Sequence, residues 1–442
     1  MDKFLEKIAV YADNVALICD DRQYTYTDLF NEIQNKINLL REIPSGAIVA
    51  IVGDYSFDNI SFLLACLNKK LIIAPLLENS DNNDKIKESQ IDYIYQNDRL
   101  TPTQYLGSTK HNIIIKLIKN NSNGLILFSS GSTGKPKAIV HDLDNILNSY
   151  LDKKPKNMNI LLFLMFDHIG GLNTLFNSLS LGACAITIKD RKNIESIANL
   201  IQNYKISLLP ASPSFLNLLL ISEVYKVYDL SSLRLITYGT EKMPDSLLER
   251  LKIIFPKVRF HQTFGTSEVG IAQTKTKDNM IKLEGIDYKI INNELYLKSK
   301  TQSLGYLNAD NSVFDDDGYF ATGDLVESIL VNGQEYLKII GRSKEVINVG
   351  GEKVLPNEVE GVILQIPHII DCLVYPETNS ITGQSVSAKI VLDAHTKLTN
   401  LEAKKQIRAF CKDKLATFKI PSKVEVVDSL AISERFKKVR MK

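Results

Sequence analysis

Residues 125–142, LILFSSGSTGKPKAIVHD, concentrate the residue types that hold phosphate. A short apolar run, Leu125 to Phe128, leads into Ser129, Ser130, Gly131, Ser132, Thr133, Gly134, Lys135, Pro136 and Lys137, and a second apolar run resumes from Ala138 to Val140. Glycines let backbone N–H groups turn toward an anion, hydroxyls donate further hydrogen bonds, and lysines supply compensating charge. It is not a Walker loop, because Ser129 and Pro136 stand where that pattern needs a glycine and a hydroxyl residue. A polar hairpin shares this turn chemistry, and only the company of the downstream stretches favours phosphate over it.

Four further stretches carry chemistry. LITYGTEKMP, residues 235–244, ends an apolar run on a glycine turn, so Gly239, Thr240 and Glu241 can present a flat backbone edge to a planar ring. QTFGTSEVG, residues 262–270, sets an aromatic (Phe264), a glycine (Gly265), two hydroxyls (Thr266, Ser267) and a carboxylate (Glu268) in consecutive positions. Those types suit stacking, phosphate contact and Mg²⁺ ligation. YFATGDL, residues 319–325, leaves Asp324 after a glycine, where its carboxylate can accept ribose hydroxyls. In residues 339–363, IIGRSKEVINVGGEKVLPNEVEGVI, Arg342 follows a glycine, Gly350 and Gly351 form a tight loop, and Pro356 opens a helix with Glu358 and Glu360 near its positive end.

The elements that must position these stretches alternate. Residues 24–42 place apolar side chains at helical spacing after Thr25 and Thr27. AIVAIVG (47–53) and LIIAPLL (71–77) are buried strands with SFLLACLNK as crossover helix, the pattern of a mostly parallel sheet, and residues 78–88 are a polar connection. The alternation returns with ILLFLMF (160–166), ACAITI (183–188), a helix near 194–204, and ISLLPASPSFLNLLL (206–220). From about 282 short strands with turn residues make a small β module, and the last ~100 residues form a separate small domain.

At 442 residues the chain is too long for one compact core, and 44% hydrophobic with 24% charged residues is ordinary globular composition. A net charge of +2, from 53 basic and 51 acidic residues, argues against a nucleic-acid partner and against stable membrane insertion. Cys19, Cys66, Cys184, Cys372 and Cys411 lie far apart without a CxxC, and the six histidines form no HExxH, which fits a reducing cytoplasm. The start, MDKFLEKIAV, lacks the character of a signal peptide, so the expected location is cytoplasmic.

Taken together and in this order, the five motifs resemble the adenylate-forming enzyme superfamily, and their wording is most like the AMP-forming acyl-CoA ligases. The resemblance runs from about residue 120 to the C-terminus. It implies an α/β fold with a large multi-layer N-terminal domain, residues 1–342, of stacked mostly parallel sheets with helices plus a small β module. A small mobile α+β C-terminal domain, residues 343–442, would complete it. The implied reaction joins a carboxylic acid, fatty acyl or aryl, to AMP with loss of pyrophosphate and then to the thiol of CoA. The implied cofactors are ATP, Mg²⁺ and CoA, or the phosphopantetheine of an acyl or peptidyl carrier protein.

Residue by residue, the resemblance assigns Ser129, Ser130, Gly131, Ser132, Thr133, Gly134 and Lys137 to the β- and γ-phosphates and Gly239, Thr240 and Glu241 to the adenine edge. Phe264 would stack on adenine beside Gly265 and Thr266, Ser267 replaces the usual threonine, Glu268 would hold Mg²⁺, and Asp324 with Arg342 would bind ribose. His168, in FDHIGG, falls at a gate beside the reacting carboxylate, and the acyl pocket would be lined from Asn173, Pro213, Phe215, Tyr238, Thr263 and Val269. Lys344 would be the hinge, with Gly350, Gly351 and Lys353 on the CoA side. The chain departs from the pattern at its end, LAISERFKKVRMK, where Phe436 replaces the glycine before the C-terminal lysine. Lys437 keeps the spacing to Ser433 and Arg440, Lys438 keeps only the residue that comes after it, and both stay candidates for the catalytic lysine. A stand-alone enzyme that loads a carrier protein and a nucleotide-binding scaffold without activity are the competing functions.

Overall fold

The computed structural model describes residues 2–78, 81–130 and 135–440, with the backbone alone for Ser130. Gly131, Ser132, Thr133 and Gly134 of the phosphate loop lie outside the described residues.

Among the described residues, β-branched apolar runs form two seven-stranded α/β sheets. One carries Cys184–Ile186, Asn159–Leu161, Leu208–Ala211, Leu235–Tyr238 and Arg259–Gln262 in parallel, with a single antiparallel pairing at its Val15–Cys19 edge. The other is mixed rather than mostly parallel. Its Ile48–Val52, Ile72–Leu76 and Tyr93–Gln96 strands are parallel, but hairpins at both edges add antiparallel pairs. One of these pairs is Gly124–Ser130 with Pro136–Asp142, so paired strands flank the phosphate loop on both sides. Helices Tyr26–Leu39, Phe57–Asn68 and Ile169–Ser180 share one apolar core with strands of both sheets. The first helix starts as its sequence indicates, with Thr25 and Asp28 forming a capping box.

Three expected elements differ. The polar connection 78–88 contains a helix, Asn83–Ser89, whose Ile86 packs against the apolar cluster of the mixed sheet. Of ILLFLMF only Ile160 and Leu161 pair as strand; further on, the Phe163 carbonyl instead accepts from Arg191 Nε at 2.5 Å. Residues 206–220 divide at Ser212, which caps the helix Pro213–Ile221 through the Phe215 N–H.

A wholly antiparallel sheet forms the β module, and it begins at Phe264 rather than near 282. Its last hairpin pairs Asp324 with Arg342 directly across the strands. Residues 347–426 then build a separate sheet and an apolar core of their own, with helices Pro356–Ile363 and Asn400–Cys411 against the long hairpin Ile369–Leu392. The tail beyond leaves that core and returns to the first sheet, where Phe436 joins the apolar cluster. No described helix is long and apolar enough to cross a membrane.

Candidate functional site

A cleft of about 540 Å³ lies where the first sheet, the β module and the C-terminal module meet. Its N-terminal wall brings together Gly239, Thr240, Glu241, Thr263, Phe264 and Gly265, with Pro213 at one side. Two glycines there are steric necessities. A Cβ on Gly239 would stand 2.7 Å from Thr263 Oγ1, and one on Gly265 would stand 2.4 Å from the Gly270 carbonyl oxygen. Thr240 takes φ +71°, a left-handed conformation that turns the chain across the cleft mouth.

On the β module side, Asp324 is 5% exposed and accepts from Arg342 Nε at 2.9 Å. Burial raises its carboxyl above the usual range, against the opposing pull of Arg342. The result is a desolvated acceptor with an arginine fixed beside it.

The two candidate lysines have different surroundings. Lys438 donates from Nζ to Asp371 Oδ1 at 2.6 Å and to the Cys372 carbonyl at 2.7 Å, inside the C-terminal module. Its ammonium is thus consumed by a structural ion pair, which removes it as a free cation for the cleft. Lys437 points into the cleft, in the fields of Asp324 and Glu241 on one hand and Arg342 and Arg435 on the other. Burial, then Arg342, holds its ammonium below the ordinary lysine range.

Neighbouring contacts fix the tail. A tight turn, with Ser433 N–H donating to the Lys437 carbonyl at 2.8 Å, brings Arg435 Nη2 to Asp167 Oδ2 at 2.8 Å. Arg440 donates to Glu360, to Asn357 and to the Val374 carbonyl, and pairs with Glu345. Glu241 does more than edge the cleft: its carboxylate accepts from Ser214 Oγ at 2.6 Å and from the Lys438 N–H at 2.7 Å.

A second cluster surrounds the phosphate hairpin. Strand Gly305–Tyr306 pairs with Pro136–Asp142, and Tyr306 Oη donates to Glu268 Oε1 at 2.9 Å. The Lys137 ammonium sits 5.3 Å from the Tyr306 ring centre. His141 holds the Ser267 carbonyl through Nε2 at 2.6 Å, and Asn308 bonds the Ala138 N–H and the Pro136 carbonyl. Sequence reasoning misses Tyr306, His141 and Asn308. Tyr306 and Asn308 lie about 170 residues from the loop they hold, so no local spacing announces them. Among the described residues no three His, Cys, Asp or Glu side chains form a metal site. A single carboxylate, Glu268, is nonetheless compatible with Mg²⁺, which takes its remaining ligands from water and substrate phosphates.

Of the remaining expected residues that the structure describes, Phe264 alone lines the cleft. His168 caps the helix Ile169–Ser180, accepting the Gly170 N–H at Nδ1, and is pushed down to about 3 by burial, then by Arg435 and Lys437. It is neutral there. Asn173 accepts from Tyr150 Oη at 2.6 Å. Three residues expected to line the acyl pocket are packed instead: Phe215 against Phe163 and Phe436, Val269 in the β module core, and Tyr238 with its hydroxyl on the Asp278 carbonyl and Asn279. Phe264 lines the cleft but is 7% exposed and packs into the β module core, so little of its ring is open for stacking. Ser129 lies one residue before the end of its strand, opposite its cross-strand partner Lys137. Thr266 caps its own loop, accepting the N–H groups of Glu268 and Val269. Lys344, Gly350, Gly351 and Lys353 stand outside the cleft, the last three on the hairpin Ile347–Val354 of the C-terminal module.

Comparison with known proteins finds two family models that match the chain. Residues 77–307 match the family model "AMP-binding enzyme", and residues 358–437 match "AMP-binding enzyme C-terminal domain". A 2-succinylbenzoate–CoA ligase of Staphylococcus aureus (strain MRSA252) is 29% identical over 339 residues, 72% of this chain and 66% of that protein. A 4-coumarate–CoA ligase-like protein of Arabidopsis thaliana is 27% identical over 306 residues, 62% of this chain and 54% of its own length. The match thus spans less than two thirds of these relatives. Among solved structures, an anthranilate CoA ligase in complex with anthranoyl-AMP superposes with a TM-score of 0.84 at 19% identity, covering 98% of this chain and 95% of that one. An o-succinylbenzoate CoA synthetase from Bacillus subtilis, in complex with its acyl-adenylate intermediate, gives 0.77 at 21% identity, covering 100% and 97%. At these identities the likeness is one of fold.

Proposed function

Because the chain belongs to the AMP-binding enzyme family, we propose that it is an AMP-forming carboxylate–CoA ligase whose acid is aromatic. The observation that carries the proposal is the Lys437 ammonium, desolvated in the cleft beside Asp324 and Arg342 while its neighbour Lys438 is spent on Asp371. A half-buried cation that lines the cleft without an ion-pair partner among the described residues suits an anionic ligand. The aromatic acid is supported by the relatives, whose names specify 2-succinylbenzoate and 4-coumarate. A fatty acid is the alternative within the same reaction.

The reaction brings two anions together, a carboxylate and the α-phosphate, and the residues at hand oppose their repulsion. Lys437 stabilises the charge that develops on the α-phosphate oxygens, and the loop of residues 129–137 with Lys137 holds the outer phosphates. Asp324 accepts the ribose hydroxyls, and Arg342 keeps that carboxylate in place. Mg²⁺, when bound through Glu268, supplies further charge for the phosphates. His168 is neutral and caps the helix Ile169–Ser180 away from the cleft lining, so it adds no third cation to the site.

We place the domain junction at 342/343 and Lys344 as the hinge. Gly350, Gly351 and Lys353 then reach the thiol only in a second orientation of the C-terminal domain. Phe436 does not displace Lys437 from the cleft, which favours an enzyme over an inactive scaffold. The test is pyrophosphate exchange into ATP with a panel of aryl and fatty acids, followed by CoA and a holo-carrier protein as acceptors. Exchange with aryl acids and transfer to CoA are expected; no exchange with any acid sinks the proposal.

A further inference from the structure

Phe436 occupies a backbone conformation that an aromatic residue rarely takes. Its φ is +52°, imposed by the turn in which its N–H donates to the Ser433 carbonyl at 2.9 Å. The strain is held in place by its ring. That ring is 3% exposed, with its centre 5.2 Å from that of Phe163 and 5.6 Å, edge-on, from that of Phe215. Both partners belong to the core of the first sheet, not to that of the C-terminal module. A side chain from the tail therefore completes the core of the opposite body.

The backbone on either side of Lys437 is fastened to the same wall. Ser212 Oγ donates to the Phe436 carbonyl at 2.7 Å, and Glu241 accepts the Lys438 N–H at 2.7 Å. Ser212 caps the helix Pro213–Ile221, and Glu241 is itself held by Ser214 in the first turn of that helix. The anchors straddle Lys437 and leave its ammonium to the cleft.

We infer that Phe436 is the positioning residue for Lys437: its ring, seated on Phe163 and Phe215, docks the tail and makes the docked orientation the resting state of this chain. The inference rests on the ligase reading for its catalytic consequence but not for the docking itself. Leaving this orientation withdraws the ring into water, so the aromatic favours adenylation and slows the departure that precedes thiol attack.

The test compares the parent with F436G, which removes the ring and eases the backbone, and F436L, which keeps an apolar anchor. Three readouts are taken: single-turnover adenylate formation, thioester formation from synthetic acyl-adenylate and CoA, and amide hydrogen exchange over residues 208–220 and 433–439. Misplacing Lys437 in F436G should lower adenylation on the order of 10²-fold, through kcat rather than the KM for ATP. Its thioester step should be unchanged or faster, the Lys438 amide should exchange at least roughly 10-fold faster, and F436L should recover most of both losses. Adenylation and exchange at parental rates in F436G would overturn the inference. So would loss of both half-reactions together with loss of protection over 208–220, since that marks a packing residue of the core. If no acid supports adenylation in the parent, the ligase reading has failed and hydrogen exchange over 433–439 alone decides whether Phe436 docks the tail.

Discussion

Exchanging the adjacent lysines for alanine one at a time should separate stability from chemistry. Lys438 and Asp371 are 14% and 13% exposed and 2.6 Å apart. Removing the lysine strands the carboxylate, a change that costs about 3–5 kcal/mol in a buried pair. The residual exposure admits some water and puts the expected loss near the lower end, about 3 kcal/mol. For a unit of about 100 residues each kcal/mol moves Tm by roughly 4–8 °C, so the C-terminal module should melt about 12–24 °C earlier. Lys437→Ala should do the opposite. Its ammonium is already held below the ordinary range by burial, so deleting the charge relieves desolvation and Tm should hold or rise. Adenylate formation, however, should fall by on the order of 10²-fold or more, as it does when one transition-state donor is lost. Calorimetry and single-turnover adenylation on the same preparations give both numbers. A Lys438→Ala protein that melts like the parent and selectively loses adenylation would show that the ion pair is not structural and that the reactive lysine is the other one.

Two further outcomes are expected. Burial pushes His141 down to about 4 and His168 down to about 3, so both are neutral in the folded protein at mildly acid pH. The unfolded chain, with histidines near 6.5, binds more protons below that value, so stability falls with pH, by about 3 kcal/mol for the pair between pH 6.5 and 5. Urea unfolding at the two pH values measures this, and the loss should roughly halve in His168→Asn, which keeps a cap; an equal loss in that variant would contradict the assignment. Glu268→Gln preserves an oxygen for Tyr306 Oη and so should bind metal-free ATP like the parent, while losing adenylation by on the order of 10²-fold. Impaired metal-free binding would instead mean that Glu268 holds the loop rather than the metal.

What the sequence revealed depended on range. The strands on either side of the phosphate loop were legible because strand periodicity and turn residues are local, and so was the helix start at Thr25. The different surroundings of Lys437 and Lys438 were not, because Lys438 is held by Asp371, 67 residues away along the chain. The helix Asn83–Ser89 was hidden by its composition: Ile86 is the only apolar side chain in it, so no stripe marks a buried face. That Phe215, Tyr238 and Val269, expected to line an acyl pocket, are buried against other side chains was hidden for a related reason. Alternation says which residues face inward, but not whether an inward face meets a cavity or, as with Phe215, another ring delivered from the far end of the chain.

That delivered ring ties nucleotide binding to the position of the tail. Lys437 enters the cleft only when residues 435–438 are docked, and there its ammonium is short of solvent with Arg342 and Arg435 adding repulsion. Docking is thus opposed by the charge of Lys437 and favoured by Phe436, Ser212 and Glu241. An anion in the cleft removes the opposing part. Linkage then requires reciprocity: whatever factor docking adds to the affinity for the nucleotide's phosphates, the bound nucleotide adds to docking. On the ligase reading, adenylation releases pyrophosphate while AMP stays bonded to the acyl group, so the cation then loses part of the negative charge that faced it. On that reading, the Lys437 charge that would assist adenylation would also oppose the aromatic anchor once pyrophosphate has left.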